Sequence, residues 1–257
     1  MKEIASMAGF VLAGMLLFST VASAADVTVM YSGAFSSAIK ELAPEYERAT
    51  GNKVILVPGP SMGTAPEAIP NRLQRGEKAD VVILAGEALD KLIKEGKVKA
   101  GGRTDLARSG IFMAIRAGAP KPDISSVETF KNTLLKSKSI ATSDSASGVY
   151  LKNDLFPRLG IADQMNAKRI WADPAGGAAA RGEAELAFQQ NSELLPVKGI
   201  DIVGPLPPTL QKYTWFSAGV PVSCKQPKLA RSLIKFFTSP AAAAVITKTG
   251  MEPPTKK

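Results

Sequence analysis

The chain has 257 residues, a formal net charge of +9, one cysteine and no histidine. The absence of histidine excludes a Ser-His-Asp triad, histidine metal ligands and an imidazole base, and the lone Cys224 excludes an intramolecular disulfide. Lys and Arg are dispersed, with no aromatic residues interleaved in a basic patch, so the charge reads as solubility and attraction for small anions, not as a nucleic-acid surface.

In chain order, the apolar run Gly9 to Ser19 followed by Ala22-Ser23-Ala24 reads as a secretory signal peptide over 1–24, cut after Ala24. That places the remaining 233 of the 257 residues in a bacterial periplasm. Val27 to Tyr31 is a strand; Phe35, Ile39, Leu42 and Tyr46 recur at helical spacing, and Gly51 closes that helix. Lys53 to Pro58 is the next strand, Ala65 to Arg75 a short helix with Ile69 and Leu73 inward, and Ala79 to Ala85 a continuous apolar strand before a helix ended by Gly96. This βαβαβα order predicts a parallel sheet covered by helices on both faces. A second block has strands at Gly110 to Arg116, Ser139 to Ser143, Arg169 to Ala172, Ala184 to Gln190 and Ile200 to Val203, with helices at Val127 to Lys136 and Val149 to Leu159. Helices at Lys228 to Thr238 and Pro240 to Lys248 close the chain. The order suggests an α/β protein of two lobes around a cleft: lobe 1 over 25–107, lobe 2 over 108–213, and a return to lobe 1 over 214–257.

Ligands of open α/β sheets sit beyond the carboxyl ends of the strands. Three loops there are rich in small polar residues: Ser32 to Ser37, Gly59 to Thr64, and Ser143 to Tyr150 (SDSASGVY). Hydroxyls, glycines and N–H groups at a helix start suit an oxyanion or a carboxylate, although Ser and Thr are also ordinary helix caps. Arg181, in GAAARG, could clamp a carboxylate in bidentate fashion or sit solvated on a helix; Arg72 has the same ambiguity. Gln189, Gln190 and Asn191 end a strand where amides could meet a ligand, and Asp144, Asp173 and Glu183 lie near the expected cleft. No phosphate-loop pattern and no metal-ligand spacing is present, so no cofactor and no metal is expected.

The segments TVMYSGAFSSAIKEL, GEKADVVILA, SDSASGVYLKNDLFPRLG, ARGEAELAFQQNSELLP and FFTSPAAAAVITKTGMEP span Val27 to Pro253. They resemble the periplasmic molybdate-binding-protein type of ABC-transporter receptor. The resemblance implies a two-lobed, venus-flytrap periplasmic-binding-protein fold of type II, a monomer that carries a small anion to a permease. It also implies a ligand set. The family's first-loop serine falls on Ala34, flanked by Ser32 and Ser36, and its second-loop serine on Ser61, with Thr64 in the same loop. The third-loop backbone donor falls within Ser147-Gly148, beside Ser145. A fourth contact falls near Ala180-Arg181, and the family's tyrosine hydroxyl falls at Gln190. Two side-chain hydroxyls of that set are therefore replaced. The RGEAEL, QQ and SELLP pattern also resembles periplasmic aconitate isomerases on the same fold. A receptor for a small oxyanion or carboxylate, which needs no base, is the leading reading. The alternative is an isomerase that shifts an allylic proton of a tricarboxylate, with Tyr31, Tyr150, Lys40 or Glu183 as candidate proton-transfer groups.

Overall fold

The structure, a computed structural model, describes residues 24–255. All but Ala24 of the expected signal peptide lies outside the described residues. Lobe 1 opens with β1 (Asp26–Tyr31), a single 3-10 turn (Gly33–Phe35), α1 (Ser36–Thr50), β2 (Lys53–Pro58), α2 (Ile69–Gln74), β3 (Val81–Ala85) and α3 (Gly86–Lys94). β1 pairs in parallel with both β2 and β3. The apolar residues of α1 line one face: Ala38, Ile39, Leu42, Ala43 and Tyr46 are all buried. Gly51 then takes the left-handed conformation and its N–H donates to Glu47 O, which ends the helix. β3 is apolar throughout because its alternate residues enter two different cores. Val81, Ile83 and Ala85 pack with α1, whereas Val82 and Leu84 pack with Ile69, Leu73, Leu89 and Leu92 of α2 and α3.

β4 (Thr104–Arg116) carries the chain out of lobe 1. Its first half pairs antiparallel with β9, and its second half pairs with β7 and β8, so one strand runs through the 107/108 position expected to divide the lobes. Lobe 2 contains α4 (Val127–Lys136), β5 (Ile140–Thr142), α5 (Ala146–Tyr150) and α6 (Phe156–Arg158). A π turn over Leu151–Leu155 joins α5 and α6 into one helical segment. Then come α7 (Ala162–Lys168), β6 (Arg169–Trp171), α8 (Ala175–Ala180), β7 (Leu186–Gln190), α9 (Asn191–Leu194) and β8 (Ile200–Pro205). β9 (Tyr213–Gly219) returns to lobe 1 between β3 and β4. The closing helices α10 (Pro227–Phe237) and α11 (Pro240–Lys248) pack on the lobe 1 core, with Phe237 edge-on to Phe35 at 5.9 Å between ring centres.

The two interlobe crossings are tied to each other. Gln211, just before β9, accepts from Ile111 N–H at 2.8 Å and donates to Ile111 O at 3.0 Å, closing both amide positions on one residue of β4. Among the described residues the strand order is β2-β1-β3-β9-β4-β7-β5-β6, with β8 on β4. β4 begins earlier than the Gly110 expected, because polar residues in TDLARSG and a register shift between Asp105 and Ala107 break the alternation there. α2 starts at Ile69, not at 65, because Pro66 and Pro70 confine the helix start. β9 and the short helices α7, α8 and α9 are additions that the sequence pattern did not indicate.

Candidate functional site

The three serine-rich loops converge between the lobes. Ser32, after β1, is buried; its N–H donates to Ile83 O at 2.8 Å and its hydroxyl caps no helix. Ser61, after β2, is fully buried, and its Oγ accepts from Ala85 N–H at 2.9 Å, which leaves the hydroxyl proton able to donate elsewhere. From lobe 2, the loop after β5 folds back so tightly that a Cβ at position 148 would collide with Ser143 O, so glycine is required there. That fold holds Ser147 in the interior. Ser147 Oγ and Thr142 Oγ1 are both buried without a protein hydrogen-bond partner, as is Ser192 Oγ on α9. Buried polar atoms are nearly always partnered. An orphan hydroxyl at the end of β5, Thr142, and another in α5, Ser147, flank the loop and mark it as a candidate ligand-facing wall. The lobes touch across this wall: a Cβ on Gly63 would lie 2.8 Å from Asp144 O.

Thr64, Ser145, Asp144 and Asp173 line a small cavity of about 210 Å³ with Pro60 and Trp171. A second, polar cavity of about 530 Å³, which shares Met62 with the first, is lined by Glu87, Tyr150, Asp154, Arg158, Lys212 and Thr214, among others. Of the sequence candidates, Thr64 and Ser145 line the smaller cavity, and Ser32, Ser61, Ser147 and Gly148 are buried in the loops beside it. Others stand apart. Ala34 is buried in the lobe 1 core, and Ser36 begins α1 with its N–H on Gly33 O. Arg181 lies at the far end of α8 on the surface. Its Nε donates to Glu183 Oε1 at 2.7 Å and its Nη2 to Glu183 Oε2 at 2.8 Å, so the bidentate clamp closes on a neighbouring side chain. Arg72 is likewise paired, with Glu77. Gln190 is buried where β4, β7 and β9 meet. With its amide nitrogen donating to Ser109 O (2.9 Å) and its oxygen accepting from Thr214 Oγ1 (3.3 Å), it braces the strands at the lobe crossing.

The groups best suited to proton transfer are a pair of carboxyls. Asp173, before α8, accepts from Gln189 Nε2 at 3.2 Å, and Gln189 Oε1 accepts from Ala175 N–H at 2.9 Å. Glu193, on α9, directs its carboxyl at lobe 1, where Oε1 would lie 2.6 Å from a Cβ on Gly33. Burial raises Asp173 above the usual carboxylate range. Burial, with the negative charge of Asp173 second, pushes Glu193 up to about 8, against the opposing hydrogen bonds of the Gln190 backbone and the Gln189 amide. Glu193 is half-buried where α9 meets Gly33. The candidates Tyr31, Tyr150, Lys40 and Glu183 do not gather here. Tyr31 belongs to the lobe 1 core, Lys40 is exposed on α1, and Glu183 is engaged by Arg181. Tyr150 donates to Leu210 O at 2.9 Å, and burial raises its hydroxyl further from ionisation. Glu193 carried no spacing signal of its own; the only hint was its place in SELLP after the QQ pair. Among the described residues no three His, Cys, Asp or Glu side chains form a metal cradle.

The family model described as bacterial extracellular solute-binding protein matches residues 27–252. An aconitate isomerase from Pseudomonas sp. is 49% identical over 248 residues, covering 94% of this chain and 95% of that protein. The molybdate-binding protein ModA of Azotobacter vinelandii is 26% identical over 244 residues, 91% and 92% of the two chains. Among solved structures, the periplasmic molybdate-binding protein of A. vinelandii superposes with a TM-score of 0.72 at 21% identity, over 89% of this chain and all of that one. The sulfate-binding protein SubI of Mycobacterium tuberculosis H37Rv gives 0.68 at 19% identity, over 89% and 87%. These likenesses agree with two α/β lobes joined at β4 and β9, and the chain belongs to the bacterial extracellular solute-binding proteins.

Proposed function

We propose that this protein is a periplasmic aconitate isomerase, a monomer that uses the closed cleft of a solute-binding protein as its active site. The observation that carries this reading is Asp173, which lines the smaller cavity between the lobes, with Glu193 near enough to feel its charge. For a receptor, an ionised Asp173 beside a bound anion opposes binding, and the proton on Glu193 serves only as a hydrogen-bond donor. For an allylic proton shift they are the machinery. The 49% identity to an enzyme of that name supports the same reading. The shift needs one group to accept a proton and one to deliver it. Asp173, the less perturbed acid, takes a proton from the substrate methylene. The carbanion delocalises through the double bond onto the adjacent carboxylate, where the Ser147 hydroxyl and the nearby backbone N–H groups receive the added charge. Glu193, held protonated at neutral pH, returns a proton to the former vinyl carbon. Asp173 is then protonated and Glu193 ionised, and exchange with water restores both.

The test is a proton NMR time course of the purified protein with cis-aconitate in D₂O, beside a protein-free control. Trans-aconitate should accumulate, and solvent deuterium should enter the new methylene. Glu193→Gln and Asp173→Asn should each lower kcat by about 10²–10⁴-fold with aconitate still bound. Binding without any conversion would instead make the protein a receptor delivering a small anion to an ABC permease. The orphan hydroxyls of Thr142 and Ser147 and the family membership favour that second reading.

A further inference from the structure

We propose that Arg158 and Lys212 form a second carboxylate subsite in the cleft, and that this subsite selects polycarboxylates over compact oxyanions. The inference rests on the tricarboxylate reading above and names the groups that recognise such a substrate. Among the described residues lining the two cavities between the lobes, Arg158 and Lys212 are the cations. Both border the cavity of about 530 Å³, and so does Ala146, the neighbour of Ser147. An anion held at the serine wall therefore has this cavity directly beside it. A compact oxyanion would fill the wall alone, whereas a longer acid with a second carboxylate extends toward the two cations.

Three features make these side chains available. Arg158 ends the helical segment that begins at the serine wall, and it is held by Asp154 at 3.1 Å, one turn earlier. Lys212 Nζ lies 5.5 Å from the centre of the Tyr150 ring and 2.9 Å from Glu87 Oε1 across the cleft. The carboxylate partners are exposed, 73% for Glu87 and 51% for Asp154, and exposed pairs of this kind add little stability. A substrate carboxylate can replace either partner at small cost. Arg158 can present two N–H groups to it, and Lys212 a compact positive charge. Glu87 belongs to lobe 1 and Lys212 to the crossing segment, so the exchange takes place where the lobes meet.

Calorimetric titration of the whole mature protein tests this with two non-isomerising ligands, tricarballylate, with three carboxylates, and sulfate, a compact oxyanion. Arg158→Gln and Lys212→Met should each raise the Kd for tricarballylate about 10–100-fold, with little change for sulfate. Glu87→Gln, which removes a competitor, should lower the tricarballylate Kd. Arg181→Ala removes the same unit of charge far from the cleft and should leave both constants unchanged. Thermal melts of each variant separate loss of binding from loss of fold. Unchanged tricarballylate binding in folded Arg158 and Lys212 variants would overturn the subsite while leaving the isomerase reading intact. An equal loss in Arg181→Ala would also overturn it, since the effect would then be long-range charge. Wild-type protein that binds neither ligand would overturn both readings.

Discussion

Ser147 illustrates how a single residue can be favourable for function and unfavourable for the empty fold. Its hydroxyl is buried and meets no partner in the protein. Such a group forfeits its hydration, worth about 1–3 kcal/mol, without a hydrogen bond in return. Replacing it by alanine removes that loss and little packing, because only one atom goes. Ser147→Ala should therefore raise the melting temperature of the ligand-free protein, by about 2–4 °C for each kcal/mol recovered. The same change should shrink the rise in melting temperature that aconitate produces, since the hydroxyl no longer meets the ligand. Differential scanning fluorimetry with and without ligand reads both. A variant that melts lower without ligand, or that keeps the full ligand-induced rise, would show the hydroxyl to be an ordinary structural one.

At the scale of elements, two glycines set the walls of the cleft in different ways. At Gly148 an added Cβ meets the backbone carbonyl of Ser143, which cannot swing aside; at Gly33 it meets the mobile end of Glu193. Gly148→Ala should cost about 1–3 kcal/mol through overpacking and displace the serine wall. Gly33→Ala should cost less stability but lower kcat, because the acid itself is pushed away. Urea unfolding and turnover assays on both variants check this; equal loss of stability in the two would refute it. The contrast also shows what a sequence can reveal. Strand-helix alternation and the glycine-serine content of the loops were visible because backbone chemistry is local. The parallel pairing among β1, β2 and β3 and the position of SDSASGVY after β5 followed from it. Partner choice was not visible. Arg181 and Glu183 satisfy each other, and Gln190 is absorbed by the strands at the crossing, whereas Glu193 becomes prominent only when α9 meets the turn at Gly33. β9 was hidden in YTWFSAG because its neighbours on both sides come from distant parts of the chain.

The whole molecule must bear the consequence of keeping Glu193 protonated. In the unfolded chain this carboxyl titrates near 4.5, and in the fold it is pushed up to about 8 by burial and by Asp173. Between those values the native state holds a proton that the unfolded chain has released. Stability then falls as pH rises through the window, and this group adds no slope below or above it. The direction is opposite to that of a salt-bridged carboxylate, whose contribution grows over the acid range. The lobes share the effect, because the carboxyl sits on lobe 2 and faces Gly33 of lobe 1. Ionising it would place a poorly solvated charge in the interlobe contact. Glu193→Gln removes the titration and keeps the shape. The variant should therefore gain on wild type as pH climbs from about 5 to 8, with the difference in melting temperature levelling off above that. Asp173 is shifted in the same direction and leaves a residual slope in the variant, so the informative quantity is the difference between the two proteins at each pH. Melting curves of both proteins at half-unit steps from pH 4.5 to 9 measure it. A constant difference across that range would mean that Glu193 titrates normally in the fold, and its role as the acid of the proton shift would fall with it.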